Sequence, residues 1–140
     1  MSEVRKSIVE DGGHGTTQYL VTTGPARFVT DLTPDLGGLD LGPGPHDLAC
    51  AALAACTAQT MRLYAVRKGW KLGAVTVSVS NHMDATAAKS ETFIRQIQLP
   101  ADLDEEQHTK LVSIANRCPI HRLLEPGATI VTEVVSVVAT

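Results

Sequence analysis

The chain has 140 residues, 44% of them apolar and 19% charged, with a formal net charge of -3. This is the composition of an ordinary globular protein long enough to bury about two-thirds of its unfolded surface in one domain, residues 1–140. A mildly acidic balance argues against a nucleic-acid footprint, and an aromatic content of 4% leaves few platforms for stacking bases. The N-terminal MSEVRKSIVE lacks the apolar core of a signal peptide, and the apolar run at 48–58 is too short for a membrane span, so a cytoplasmic protein is expected.

Three short segments, 3–10, 16–23 and 26–32, carry β-branched and aromatic residues and are separated by Asp11-Gly12-Gly13 and Gly24-Pro25. They read as antiparallel strands. The glycine- and proline-rich stretch 33–45 then reads as a long loop that delivers the chain to its central feature.

That feature is Pro45 to Trp70. From Leu48 to Ala58 every residue but Thr57 is apolar and most are alanine, so the helix has no polar face there and needs cover on all sides. Pro45 suits a first turn, Asp47 adds a carboxylate to it, and Arg67, Lys68 and Gly69 supply a cationic last turn with a glycine stop. About 24 residues of helix would span ~36 Å.

Beyond it, 73–80 alternates strictly, with Val75, Val77 and Val79 on one face and Thr76, Ser78 and Ser80 on the other. Residues 91–99 alternate less cleanly, since Phe93, Ile97 and Leu99 share their face with Arg95, and the two segments form a hairpin. Asp102 followed by Glu105 has the pattern of a capping box that opens a second helix, whose inward face would run through Leu103, Leu111, Ile114, Ala115 and Cys118. Cys118-Pro119 opens a further short helix closed by Pro126-Gly127, and 128–138 reads as a final strand apolar on both faces. The order predicts an α+β fold with antiparallel strands wrapped around a long central helix. One small sheet covers one side of that helix, so a homodimer is expected to cover the other.

In a reducing compartment three cysteines, Cys50, Cys56 and Cys118, point to redox or metal chemistry before structural disulfides. Cys56, in the middle of the alanine helix, has an ordinary reading as a small buried hydrophobe. Against that reading stand a second inward thiol, Cys118, and the polar neighbours Thr57, Gln59 and Thr60, which suggest a wet pocket. A mid-helix thiol gains little from the helix dipole, so its activation requires tertiary contacts. Candidate cations are Arg27, Arg62, Arg117 and Arg122, and candidate partners His46 and Asp47, although Asp47 is equally explained as a first-turn carboxylate. Cys56, Cys118, His121 and His46 would make a four-ligand zinc set, but its spacing is weak and no bound metal or cofactor is expected. Cys50 lies on another helix face and reads as a packing residue, and His14, His82 and His108 as solvent-facing.

The run GPGPHDLACAALAACTAQTMRLYAVRKGW resembles the central-helix signature of the OsmC/Ohr family of peroxide-reducing proteins, and NRCPIHRLL resembles the second-cysteine segment of its OsmC-like branch. With the order of elements, the resemblance extends over nearly the whole chain. It implies an intertwined homodimer and a thiol peroxidase that reduces organic hydroperoxides, with electrons from a dithiol, often a lipoylated protein. In that scheme Cys56 is the peroxidatic cysteine and Cys118 the resolving one, and His46 and Asp47 fall to positioning the thiolate. Many members have glutamate directly after the helix proline, where this chain has His46, and an arginine in the N-terminal glycine-rich loop, where DGGHG has none. A non-catalytic redox sensor or binding protein of the same fold, and a zinc-stabilised structural protein, are the alternatives.

Overall fold

A computed structural model describes residues 5–13 and 15–136. The elements are β1 (Ser7–Asp11), β2 (Tyr19–Thr23), β3 (Ala26–Thr30), a 3-10 turn (Pro34–Leu36), α1 (Pro45–Lys68), β4 (Thr76–Met83), β5 (Glu91–Gln98), α2 (Glu105–Ala115) and α3 (Pro119–Leu124). The fold is α+β. Two compact units divide the chain, Met1–Ala52 with Val79–Ile94 and Leu53–Ser78 with Arg95–Thr140.

In the first unit β1, β2 and β3 form an antiparallel meander, with Val9 opposite Val21 and Val21 opposite Phe28. The following loop is fixed by one buried carboxylate. Asp31 is 2% exposed and accepts at Oδ1 from Thr17 Oγ1 (2.5 Å), Gln18 Nε2 (2.9 Å) and the Leu32 amide (2.7 Å), and at Oδ2 from the amides of Leu39 (3.0 Å) and Leu41 (3.2 Å). Burial would raise its pKa, but the donors more than offset this and hold the carboxyl below the usual carboxylate range. Gly38 permits the close loop path, because a Cβ there would lie 1.9 Å from the Leu32 carbonyl oxygen.

Helix α1 has the bounds its end signals predict. Gly69 takes a left-handed φ of 70°, its amide bonds the Val66 carbonyl at 3.1 Å, and the Trp70 amide bonds that of Ala65 at 2.9 Å. This is a Schellman stop, and it turns Trp70 back onto the core. That core, in the second unit, is Met61, Leu111 and Ala115, flanked by Tyr64, Trp70, Leu72, Val75, Val77, Ile97, Leu99 and Leu103. Full burial of a side chain such as Met61 or Leu111 contributes about 1.5–3 kcal/mol.

The alternation of β4 is observed, Val75, Val77 and Val79 being half-buried and Thr76, Ser78 and Ser80 exposed. Two expectations are corrected. First, the capping box of α2 is Asp104 with Gln107, not Asp102 with Glu105: the Gln107 amide donates to Asp104 Oδ1 at 2.7 Å and the Asp104 amide to Gln107 Oε1 at 3.1 Å. Residues 101–102 are spent on a turn after Pro100, which leaves Leu103 ahead of the helix to pack on the core. Second, residues 128–136 form no strand, and Ile130, Val131, Val134 and Val135 are 79–89% exposed. Their β-branched side chains favour extension, but a strand needs a ladder partner. Residues 137 and 138 of that expected strand, like residues 3 and 4 of the first, lie outside the described residues. Within one chain α1 is not enclosed, since Ala51, Ala52, Ala55, Leu63 and Val66 are exposed.

Candidate functional site: a thiol pair beside a caged arginine

Cys118 ends α2's extension and caps the next helix. Asn116 caps α2, and the chain then reaches Cys118 in extended conformation (φ -64°, ψ 145°), followed by Pro119 at the first position of α3. The preference of proline for that position sets the helix start, and the Cys118 sulfur does the work of a capping oxygen: Sγ accepts from the His121 amide at 3.3 Å. Cys118 is fully buried.

Cys56, on α1, is half-buried. Its Sγ accepts from the Ile120 amide at 3.5 Å and lies 3.9 Å from Thr60 Oγ1, and its thiol is near enough to Cys118 to help lower that group's pKa. The two cysteines expected to act together are therefore neighbours, both as free thiols. Thr57, one residue on, is not the edge of a wet pocket. It is fully buried, donates to the Leu53 carbonyl at 2.7 Å, and stands 3.8 Å from Cys118 Sγ.

The cation beside this pair is Arg95, which was absent from the candidates drawn from the sequence. From the inward face of β5 its Nη1 donates to Thr57 Oγ1 (3.0 Å) and the Ala115 carbonyl (3.2 Å), and its Nη2 to Asn116 Oδ1 (2.8 Å) and His121 Nδ1 (3.1 Å). A guanidinium only donates, so His121 Nδ1 must be bare and its Nε2–H faces Glu125 Oε2 at 3.4 Å. The signal that could have found Arg95 was a charge on the inward side of an alternating strand, which needs partners. Burial pushes the Cys118 thiol up, but the His121 amide, the Thr57 hydroxyl, the Cys56 thiol and the Arg95 charge outweigh it and leave its pKa below the ordinary value.

The other expected residues are engaged elsewhere. His46 Nε2 meets Glu91 Oε1 at 2.9 Å, and Asp47 Oδ2 accepts from the Gly44 amide at 2.8 Å, both within the first unit. Asp47 also joins burial in raising the Cys50 thiol, burial being the larger cause. Arg62 donates to the carbonyls of Leu72 and Gly73, bracing the turn after α1, and Arg27, Arg117 and Arg122 are exposed. His82 is exposed and meets Ser80 Oγ at 2.8 Å, His108 is exposed, and His14 lies outside the described residues. Among the described residues no three or more His, Cys, Asp or Glu side chains gather as a metal site. Among them, too, no helix is long and apolar enough to cross a membrane.

Comparison with known proteins places this arrangement in context. Residues 37–133 match the family described as OsmC-like protein. A Psychrobacter arcticus protein assigned to the osmotic stress induced and detoxification response is 20% identical, with a TM-score of 0.75 over 90% of this chain and 92% of the other. An organic hydroperoxide resistance protein OsmC from Legionella pneumophila is 21% identical, with a TM-score of 0.67 over 88% and 90%. The organic hydroperoxide resistance protein OhrB of Bacillus subtilis is 21% identical, with a TM-score of 0.60 over 88% and 91%. Likeness at these identities shows a shared fold. No curated protein sequence matches the chain.

Proposed function

The chain belongs to the OsmC-like family, and from that membership we propose that it is a cysteine-based peroxidase reducing organic hydroperoxides to alcohols. The observation that carries this reading is the half-buried Cys56 thiol in contact with the buried, anion-favouring Cys118. Cys56, as thiolate, attacks the distal oxygen of ROOH, the O–O bond breaks, ROH leaves after taking a proton, and Cys56 becomes a sulfenic acid. Cys118 condenses with it to a disulfide, with loss of water. A dithiol then reduces that disulfide by exchange, a lipoylated protein being a suitable donor. Structures of the same fold named for organic hydroperoxide resistance support the substrate class.

The alanine-rich surroundings of Cys56 favour an alkyl substrate over hydrogen peroxide, since each buried methylene contributes about 0.8 kcal/mol to binding. Stopped-flow oxidation with a bulky alkyl hydroperoxide and with hydrogen peroxide tests this. Faster reaction with the alkyl substrate and steady turnover with a dithiol are expected. Ready oxidation without turnover would instead make the protein a redox sensor, and no oxidation of Cys56 would end the reading.

The working form is proposed to be a homodimer in the cytoplasm, the exposed apolar face of α1 and the exposed Ile130, Val131, Val134 and Val135 being covered by a second copy. Light scattering should give twice the chain mass. Ala55→Trp, harmless on a monomer's surface, should abolish the dimer through overpacking of ~1–3 kcal/mol.

A further inference from the structure

We propose that Arg95 is a positioning residue of the thiol pair, holding Cys118 ready to attack the oxidised Cys56 by tying α1, α2 and α3 to β5 around it. This rests on the peroxidase reading above and assigns the second half of the reaction to a particular cation. The guanidinium spends its donors on Thr57 of α1, on the Ala115 carbonyl and Asn116 at the end of α2, and on His121 of α3. Three of these four residues touch Cys118: His121 through its amide at 3.3 Å, Thr57 through its hydroxyl at 3.8 Å, and Ala115 through its carbonyl, which takes the Cys118 amide at 3.3 Å. Loss of Arg95 therefore loosens three of the walls around one sulfur.

The charge adds to the geometry, the hydrogen bonds around the sulfur being the larger influences and the guanidinium the smaller. The four acceptors given for Arg95 are a hydroxyl, a carbonyl, an amide oxygen and a ring nitrogen, none of them a carboxylate, and the guanidinium adds a small lowering influence on the Cys118 thiol. The titratable and charged groups of the cluster are Cys56 on α1, Arg95 on β5, His121 on α3 and Glu125, 3.4 Å from His121 Nε2, while α2 supplies only a carbonyl and an amide. In the closing step the Cys118 thiolate gives its electron pair to the Cys56 sulfur and the S–O bond breaks. Hydroxide leaves and takes a proton to become water. The oxidising equivalent is the one already delivered by the hydroperoxide, so no further oxidant enters.

The test separates this role from both folding and peroxidase activity. In the full chain carrying Cys50→Ser and Cys56→Ser, thiolate absorbance near 240 nm titrates Cys118 alone, without any peroxide. Adding Arg95→Gln should raise the midpoint, and Arg95→Lys, which keeps the charge, should restore part of the difference. With Cys56 present, Arg95→Gln should slow disulfide closure about tenfold at neutral pH while sulfenic acid at Cys56 still forms and can be trapped. If Arg95→Gln fails to fold by circular dichroism, Arg95→Lys, which cannot reach all four acceptors, should still raise the midpoint above that of the Arg95 parent. An unchanged midpoint in whichever variant folds overturns the proposal. A normal midpoint shift in a protein whose parent never consumes hydroperoxide leaves the role of Arg95 standing and overturns the peroxidase reading instead.

Discussion

Each of the two units contains one charge held among neutral partners, the buried Asp31 in the first and the half-buried Arg95 in the second, and the two are mirror images. Asp31 is an anion in a shell of neutral donors drawn from two loop stretches, one ahead of β2 and one after β3. Arg95 is a cation in a shell of neutral acceptors drawn from three helices or their ends. The difference lies in what stands just outside each shell. Around Asp31 the donors come to rest on the carboxylate and its charge is consumed in fixing the loop, whereas the field of Arg95 reaches a thiol that can respond by losing a proton. A buried charge is a structural knot where its neighbours cannot titrate, and part of a reactive centre where they can.

The largest expected effect falls on the Arg95 side. Cys56→Ser should abolish hydroperoxide consumption, and Cys118→Ser should consume one equivalent and stop at a trappable sulfenic acid, as followed by mass spectrometry. Turnover retained in Cys56→Ser would move the chemistry away from this cluster and dissolve the contrast.

Next in size is the loss of the other knot. Asp31→Asn keeps the shape but replaces an acceptor oxygen with donors facing the Leu39 and Leu41 amides, and should lower the Tm by on the order of 10 °C. The Cys118 titration should be unmoved in the protein that remains folded. Because the Asp31 carboxyl is held below its ordinary range, its stabilisation is complete above about pH 4 and is lost as pH falls through that value toward its depressed native one. Thermal melts of the parent and Asp31→Asn should therefore converge in acid.

How much of this contrast was legible in the sequence depended on where the partners came from. The span of α1 was written locally, in Pro45, Asp47 and Gly69, and Cys118-Pro119 carried its own helix start. The capping box was misplaced by two residues because Asp102/Glu105 and Asp104/Gln107 fit one template, and only the demand of Leu103 for the core decides between them. The last segment has the composition of a strand, but composition does not reveal a ladder partner. Arg95 was visible as a charge on an inward strand face, yet its acceptors lie at positions 57, 115, 116 and 121, and no spacing in the chain links them.

The smallest effect is also the finest discriminator between the knots. A thiol with a lowered pKa adds stability as pH rises through the window between its native and ordinary values, complete above about pH 8.5. The parent should thus gain Tm relative to Cys118→Ala as pH is raised toward 8.5, with the same sign as Asp31 because both groups become anions on losing a proton. A difference independent of pH would mean that the Arg95 field does not reach the sulfur.

The most direct test of the central claim is the linkage formed on oxidation. One equivalent of an alkyl hydroperoxide, followed by alkylation and peptide mapping, should yield a Cys56–Cys118 disulfide with Cys50 alkylated. A disulfide involving Cys50, or oxidation that leaves Cys56 free, would contradict the account.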